Sequence, residues 1–75
     1  MDKGFDELRE QLAVAIRQSR AQIGLSQEAL ALAAEVDRTY VSQLERGIAN
    51  PSLLILYRIA KVLEVPVDTL LLNRP

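Results

Sequence analysis

Residues 26–47 read SQEALALAAEVDRTYVSQLERG. Apolar or small side chains fall at Leu30, Ala31, Ala34, Val36, Val41 and Leu44, and polar ones at Arg38, Thr39, Ser42 and Gln43. Spacings of three and four within each half mark one buried helical face, and Glu35-Val36 interrupts them. Ser26 and Asp37 stand just ahead of each half, where a short oxygen-bearing side chain satisfies the unpaired N–H groups of a helix start. The stretch therefore predicts a helix over about 27–34, a turn at 35–36, and a helix over about 38–46 that Gly47 stops.

Counted from Gln27, Ala31 is the fifth residue, Glu35 the ninth, Val41 the fifteenth and Leu44 the eighteenth. Two helices that approach closely need a small residue at the fifth position and a tight turn near the ninth. They also need branched aliphatics at the fifteenth and eighteenth to hold the second helix on the first. Ala31, Val41 and Leu44 meet these needs. Glu35 stands where glycine is usual, because the backbone there is often left-handed, and a non-glycine residue in that conformation costs about 1 kcal/mol. Residues 27–46 are thus laid out as a helix-turn-helix unit with an outward polar face on its second helix.

The flanking sequence reads as helical support. A first helix is expected to start near Asp6 as its N-cap, with Leu8, Leu12, Ala15, Ile16 and Ser19 forming one buried stripe and Gly24 ending it. Ser52 is expected to cap a fourth helix over about 53–64, with Leu53, Leu56, Ile59, Ala60 and Leu63 inward. Pro66 breaks that helix, lacking an N–H and disfavouring helix in the residue before it. A short fifth helix over about 67–72 carries Val67, Leu70 and Leu71, while residues 1–4 and 73–75 are expected to fray. The expected fold is all-α, five short helices in one domain over residues 1–75.

Composition narrows the function. Hydrophobic residues make up 49% of the 75, enough for a packed core, and aromatics only 4%, so the core must be aliphatic. There is no Cys and no His, which excludes disulfides, a Cys/His zinc site and Cys or His nucleophiles. No signal-peptide pattern is seen and no stretch approaches the roughly 18 apolar residues of a membrane span, so a cytoplasmic protein is expected. No glycine-rich phosphate loop is present. Glu7, Glu10, Glu28 and Glu35 share no constellation with a metal or nucleophile. An enzyme is not expected, nor a cofactor or a small-molecule substrate.

LSQEALA, DRTYVSQLERG and NPS together resemble the helix-turn-helix domain of the phage-repressor (lambda/Cro) and Xre type, and the similarity runs from about residue 8 to 72. Within that family the chain is similar to restriction-modification controller proteins, which are small dimeric transcriptional regulators. The resemblance implies double-stranded DNA as a partner. Arg38, Thr39 and Gln43 are then placed to read base edges: arginine can donate twice to guanine O6 and N7, threonine offers a hydroxyl or methyl, and glutamine can pair with adenine N6 and N7. Gln27, Tyr40, Ser42, Arg46 and Asn50 are placed on the DNA backbone. Local explanations stand beside these roles. Gln27 could support the Ser26 cap, Tyr40 could pack, and Asn50 before Pro51 is a turn former. The family also pairs a glutamate late in the recognition helix with an arginine near the end of the first helix, positions held here by Glu45 and Arg20.

Net charge opposes a DNA-binding reading. Nine Lys+Arg against ten Asp+Glu give −1, whereas phosphate binding wants a basic surface. The reading requires Arg38 and Arg46 to face the groove while Asp2, Asp6, Glu7 and Glu10 lie elsewhere. The C-terminal run adds a further expectation. Leu70, Leu71 and Leu72 are consecutive, so at least one must point outward. Residues 53–72 are accordingly expected to dimerise, with Val65, Val67, Leu70, Leu71 and Leu72 at the interface. A homodimer on a palindromic operator would place two recognition helices about one DNA turn, ~34 Å, apart. The alternative is an antitoxin-type protein-interaction module of the same fold, which the acidic balance and apolar C-terminus would also suit.

Overall fold

The computed structural model describes residues 2–72, and Met1 and residues 73–75 lie outside the described set, so the expectation of fraying there stays with the sequence. The described residues form five helices and no strand: α1 (Lys3–Gln22), α2 (Gln27–Ala34), α3 (Arg38–Glu45), α4 (Leu53–Leu63) and α5 (Val67–Leu71). The first helix starts earlier than its sequence predicts. Asp2, not Asp6, is the N-cap, accepting from the N–H groups of Gly4 at 2.8 Å and Phe5 at 3.2 Å. Residues 3 and 4 are therefore helical. Asp6 sits inside the first turn and pairs with Arg9 at 2.6 Å, whose guanidinium lies over the Phe5 ring.

Ser26 and Ser52 cap α2 and α4 as expected, their hydroxyls accepting from Ala29 and Ile55. Asp37 precedes α3 in extended conformation but makes no side-chain capping bond. Gly24 and Gly47 adopt the left-handed backbone after α1 and α3. Glu35 does the same at φ 60°, as its place in the turn implied, and Glu64 repeats it at φ 62° after α4. Each reversal is closed by a valine N–H, Val36 to the Ala31 carbonyl and Val65 to the Ala60 carbonyl.

The core joins Leu12 and Ile16 of α1, Leu30 and Ala31 of α2, Val41 and Leu44 of α3, Ile59 and Leu63 of α4, and Leu70 of α5. Helix α1 packs on α3 and α5, and α2 packs on α3 and α4, so α3 is held from two sides. Three inward assignments are corrected. Leu8 lies at the surface, and Ala13 rather than Ala15 is fully buried, because the stripe on α1 runs through Leu12, Ala13, Ile16 and Ser19. Leu53 is 74% exposed, since it occupies the first turn of α4 at the edge of the stripe centred on Leu56, Ile59 and Leu63. Leu70 is wholly enclosed by its own chain and has no surface to present to a partner.

Candidate nucleic-acid interface

Helix α3 turns Val41, Leu44 and Glu45 inward. A helix advances about 100° per residue, so this inward set leaves Thr39, Ser42, Gln43 and Arg46 on the opposite side. Arg38, Thr39 and Arg46 are exposed, and Ser42 and Gln43 are half-buried. Arg38 opens the helix on its flank, and Asn50 is exposed in the loop that follows. Thr39, Ser42, Gln43 and Arg46 thus share one outward side, with Arg38 at its flank. Tyr40 departs from it: its ring packs against the core, and burial raises its phenol pKa.

The inward side is anchored by charge. Glu45 is buried at the end of α3, and Arg20 of α1 meets its carboxylate with two parallel bonds, Nε to Oε2 at 2.7 Å and Nη2 to Oε1 at 2.8 Å. The third Arg20 nitrogen donates to the Leu25 carbonyl at 3.0 Å, so the guanidinium also fixes the loop before α2. Such a fork-to-fork pair sets orientation as well as distance. Burial pushes the Glu45 carboxyl upward, but hydrogen bonds from Arg20 and Gln27 and the charges of Arg20 and Arg17 outweigh it, so it titrates below the usual glutamate value. The bond to Glu45 raises Arg20 above its ordinary value against the opposing effect of burial.

Two members of this network escaped the sequence reading. Arg17 donates through Nη1 to the Glu45 backbone carbonyl, and its spacing of three from Arg20 on one helix face was the available signal. Gln27 donates through Nε2 to Glu45 Oε1 at 3.1 Å, so its amide turns into the protein instead of supporting the Ser26 cap. The helix start it occupies still presents free N–H groups outward. Charge segregation is also incomplete. Glu28 stands in the first turn of α2 with its carboxylate 4.0 Å from Arg38 Nε.

The C-terminal apolar residues divide. Val65, Val67 and Leu71 are half-buried against the core, and Leu72 is 50% exposed. Sequence reading missed a larger exposed set, Leu53, Leu54 and Tyr57 on α4, which the spacings of three and four bring to one side. No helix among the described residues is long and apolar enough to cross a membrane.

A helix-turn-helix family model matches residues 16–70. An uncharacterized HTH-type transcriptional regulator from Archaeoglobus fulgidus is 42% identical over 55 residues, covering 73% of this chain and 79% of that protein. Among solved structures, a hypothetical transcription factor from Neisseria superposes with a TM-score of 0.85 at 42% identity, covering 88% of this chain and 76% of the other. The restriction-modification controller protein C.AhdI from Aeromonas hydrophila superposes with a TM-score of 0.80 at 35% identity, covering 83% of this chain and 94% of the other. With a matched region that takes in α2 through α4 and the buried Glu45 anchor, the chain belongs to the helix-turn-helix family of transcriptional regulators.

Proposed function

We propose that this protein is a cytoplasmic, sequence-specific DNA-binding regulator that acts as a homodimer on a palindromic operator, in the manner of a restriction-modification controller protein. The observation that carries the reading is the two-sided character of α3. Its inner side is clamped by Arg20 and Gln27 through Glu45, while Thr39 and Gln43 lie on its outer side and the exposed Arg38 on its flank. A rigidly held helix with a guanidinium, a hydroxyl and an amide on its free side suits direct readout in a major groove. Ser42, Arg46, Asn50 and the start of α2 at Gln27 are then assigned to phosphates, and Tyr40 to packing with its hydroxyl at the rim.

One short helix reaches only a few base pairs, so specificity calls for two copies. We assign the dimer contact to the region 53–72. The exposed Leu53, Leu54, Tyr57 and Leu72, with the half-buried Val65, Val67 and Leu71, supply its apolar surface, and Leu70 is withdrawn from the set. The same exposed α4 side chains also favour a second reading, an antitoxin-type module that covers them with a different protein. Gel-shift titration of duplex DNA from upstream of its own gene tests the choice. A regulator gives saturable, sequence-dependent binding that weakens steeply with salt. Absence of DNA binding, together with co-purification of a second chain, would favour the interaction module.

A further inference from the structure

We propose that Glu28 is a positioning residue for Arg38, making its guanidinium a reader of bases instead of a clamp on phosphate. The inference rests on the DNA-binding reading given above. Glu28 and Arg38 both line a shallow cleft between α2 and the start of α3, together with Ala29, Leu32, Val36 and Asp37. Their side chains are 78% and 65% exposed, and the carboxylate lies 4.0 Å from Arg38 Nε. In water such a pair is weak and contributes little to folding. Its consequence arises at the DNA.

Glu28 approaches the guanidinium from the Nε side, which leaves the Nη1 and Nη2 edge free. Two N–H donors on one edge are what guanine O6 and N7 accept. With Arg38 on a guanine, the carboxylate keeps its counter-charge close by. If Arg38 swings to a phosphate, Glu28 is left without it. Glu28 adjoins Gln27 at the start of α2, the segment assigned to the DNA backbone, so its bare charge would then face phosphates. Like charges brought together in the low dielectric of an interface repel strongly. Glu28 thus penalises the non-specific pose of Arg38 and spares the specific one. Asp37, the residue next to Arg38, also carries a carboxylate without a capping bond, but no ion pair links it to the guanidinium.

The test is selection from a random-sequence duplex pool with wild type, Glu28→Gln and Glu35→Gln, followed by titration of the selected and of unselected duplexes at fixed salt. Glu35→Gln removes one exposed charge from the turn and is expected to raise every affinity alike. Glu28→Gln is expected to tighten unselected DNA and to lower the preference for guanine at one base pair per half-site by about two- to fivefold, the reach of a solvent-screened ion pair. In an Arg38→Ala background Glu28→Gln should leave base preference unchanged. A Glu28→Gln protein that behaves as Glu35→Gln, or that changes preference even without Arg38, overturns the positioning role alone. If wild type enriches no sequence, the DNA-reading function itself fails, and this inference with it.

Discussion

Three helices converge on Glu45. Its carboxylate takes two bonds from Arg20 of α1 and one from Gln27 of α2, and its backbone carbonyl takes a fourth from Arg17. Buried pairs contribute little net stability when intact but strand a charge when halved, so Arg20→Ala is expected to destabilise the fold by about 3–5 kcal/mol in urea denaturation. A loss under 1 kcal/mol would show that the pair is dispensable. The same contacts set a pH dependence. Glu45 titrates lower in the folded chain than in the unfolded one, so its stabilisation is complete above the ordinary glutamate value of about 4.3 and is lost as pH falls through the lowered folded value. Arg20 moves upward, so its part is fully present below its ordinary value and disappears only in strong alkali. Denaturation between neutral and acid pH should show a steeper decline in wild type than in Glu45→Gln; parallel curves would contradict this. The Arg20–Glu45 pair was legible through family resemblance. The inward turn of Gln27 was not, because a helix-opening glutamine can reach out to solvent or back to a partner 18 residues away with the same local sequence.

At the scale of elements, what was local was legible. The starts of α2 and α4 follow from Ser26 and Ser52, which supply their own capping bonds, and the end of α4 from Pro66 shortly after it. The start of α1 was misplaced because two aspartates compete for the cap, and Asp6 is held inside the helix by Arg9. The two Glu-Val reversals tell a related story. Ala34-Glu35-Val36 and Leu63-Glu64-Val65 place a glutamate at φ 60° and φ 62°, yet only the first had a position within the motif to announce it. In both, burial of the helices on either side holds a residue in a conformation it disfavours. Glu35→Gly and Glu64→Gly are each expected to stabilise the chain by up to about 1 kcal/mol, the left-handed penalty less the added freedom of glycine in the unfolded state. Thermal melts check this, and a fall in midpoint for both would mean that the glutamate side chains hold contacts of their own. Leu53 escaped for a geometric reason: a spacing of three places it near the buried stripe, but the first turn of α4 exposes it.

For the whole molecule the question is how a chain of net charge −1 approaches a polyanion. Placement matters more than the sum. Arg38 and Arg46 lie on or beside the outward side of α3, and Asp2, Asp6 and Glu7 belong to the start of α1, whereas the Glu10 carboxylate lies beside Gly47 at the end of α3. The proposed dimer would double the contacts without adding chain. Leu54→Lys combined with Leu72→Lys, both at exposed positions, is expected to leave the fold intact and yield monomers in sedimentation equilibrium. A dimer that survives both charges would place the interface elsewhere. The proposed dimer region, 53–72, was legible as a region but not residue by residue: Leu53 was expected inward, Leu54 and Tyr57 were not named, and consecutive leucines do not reveal which one the core will take.

Methylation interference on a selected duplex tests the central claim most directly, because it reports contact at guanine N7 in the major groove. The expected pattern is two symmetric clusters about one helical turn apart, roughly 34 Å, with Arg38→Ala binding about 1–3 kcal/mol more weakly and losing interference at one guanine in each cluster. A single cluster, interference confined to the minor groove, or an Arg38→Ala pattern identical to wild type would contradict the claim that the outward side of α3 reads DNA in pairs.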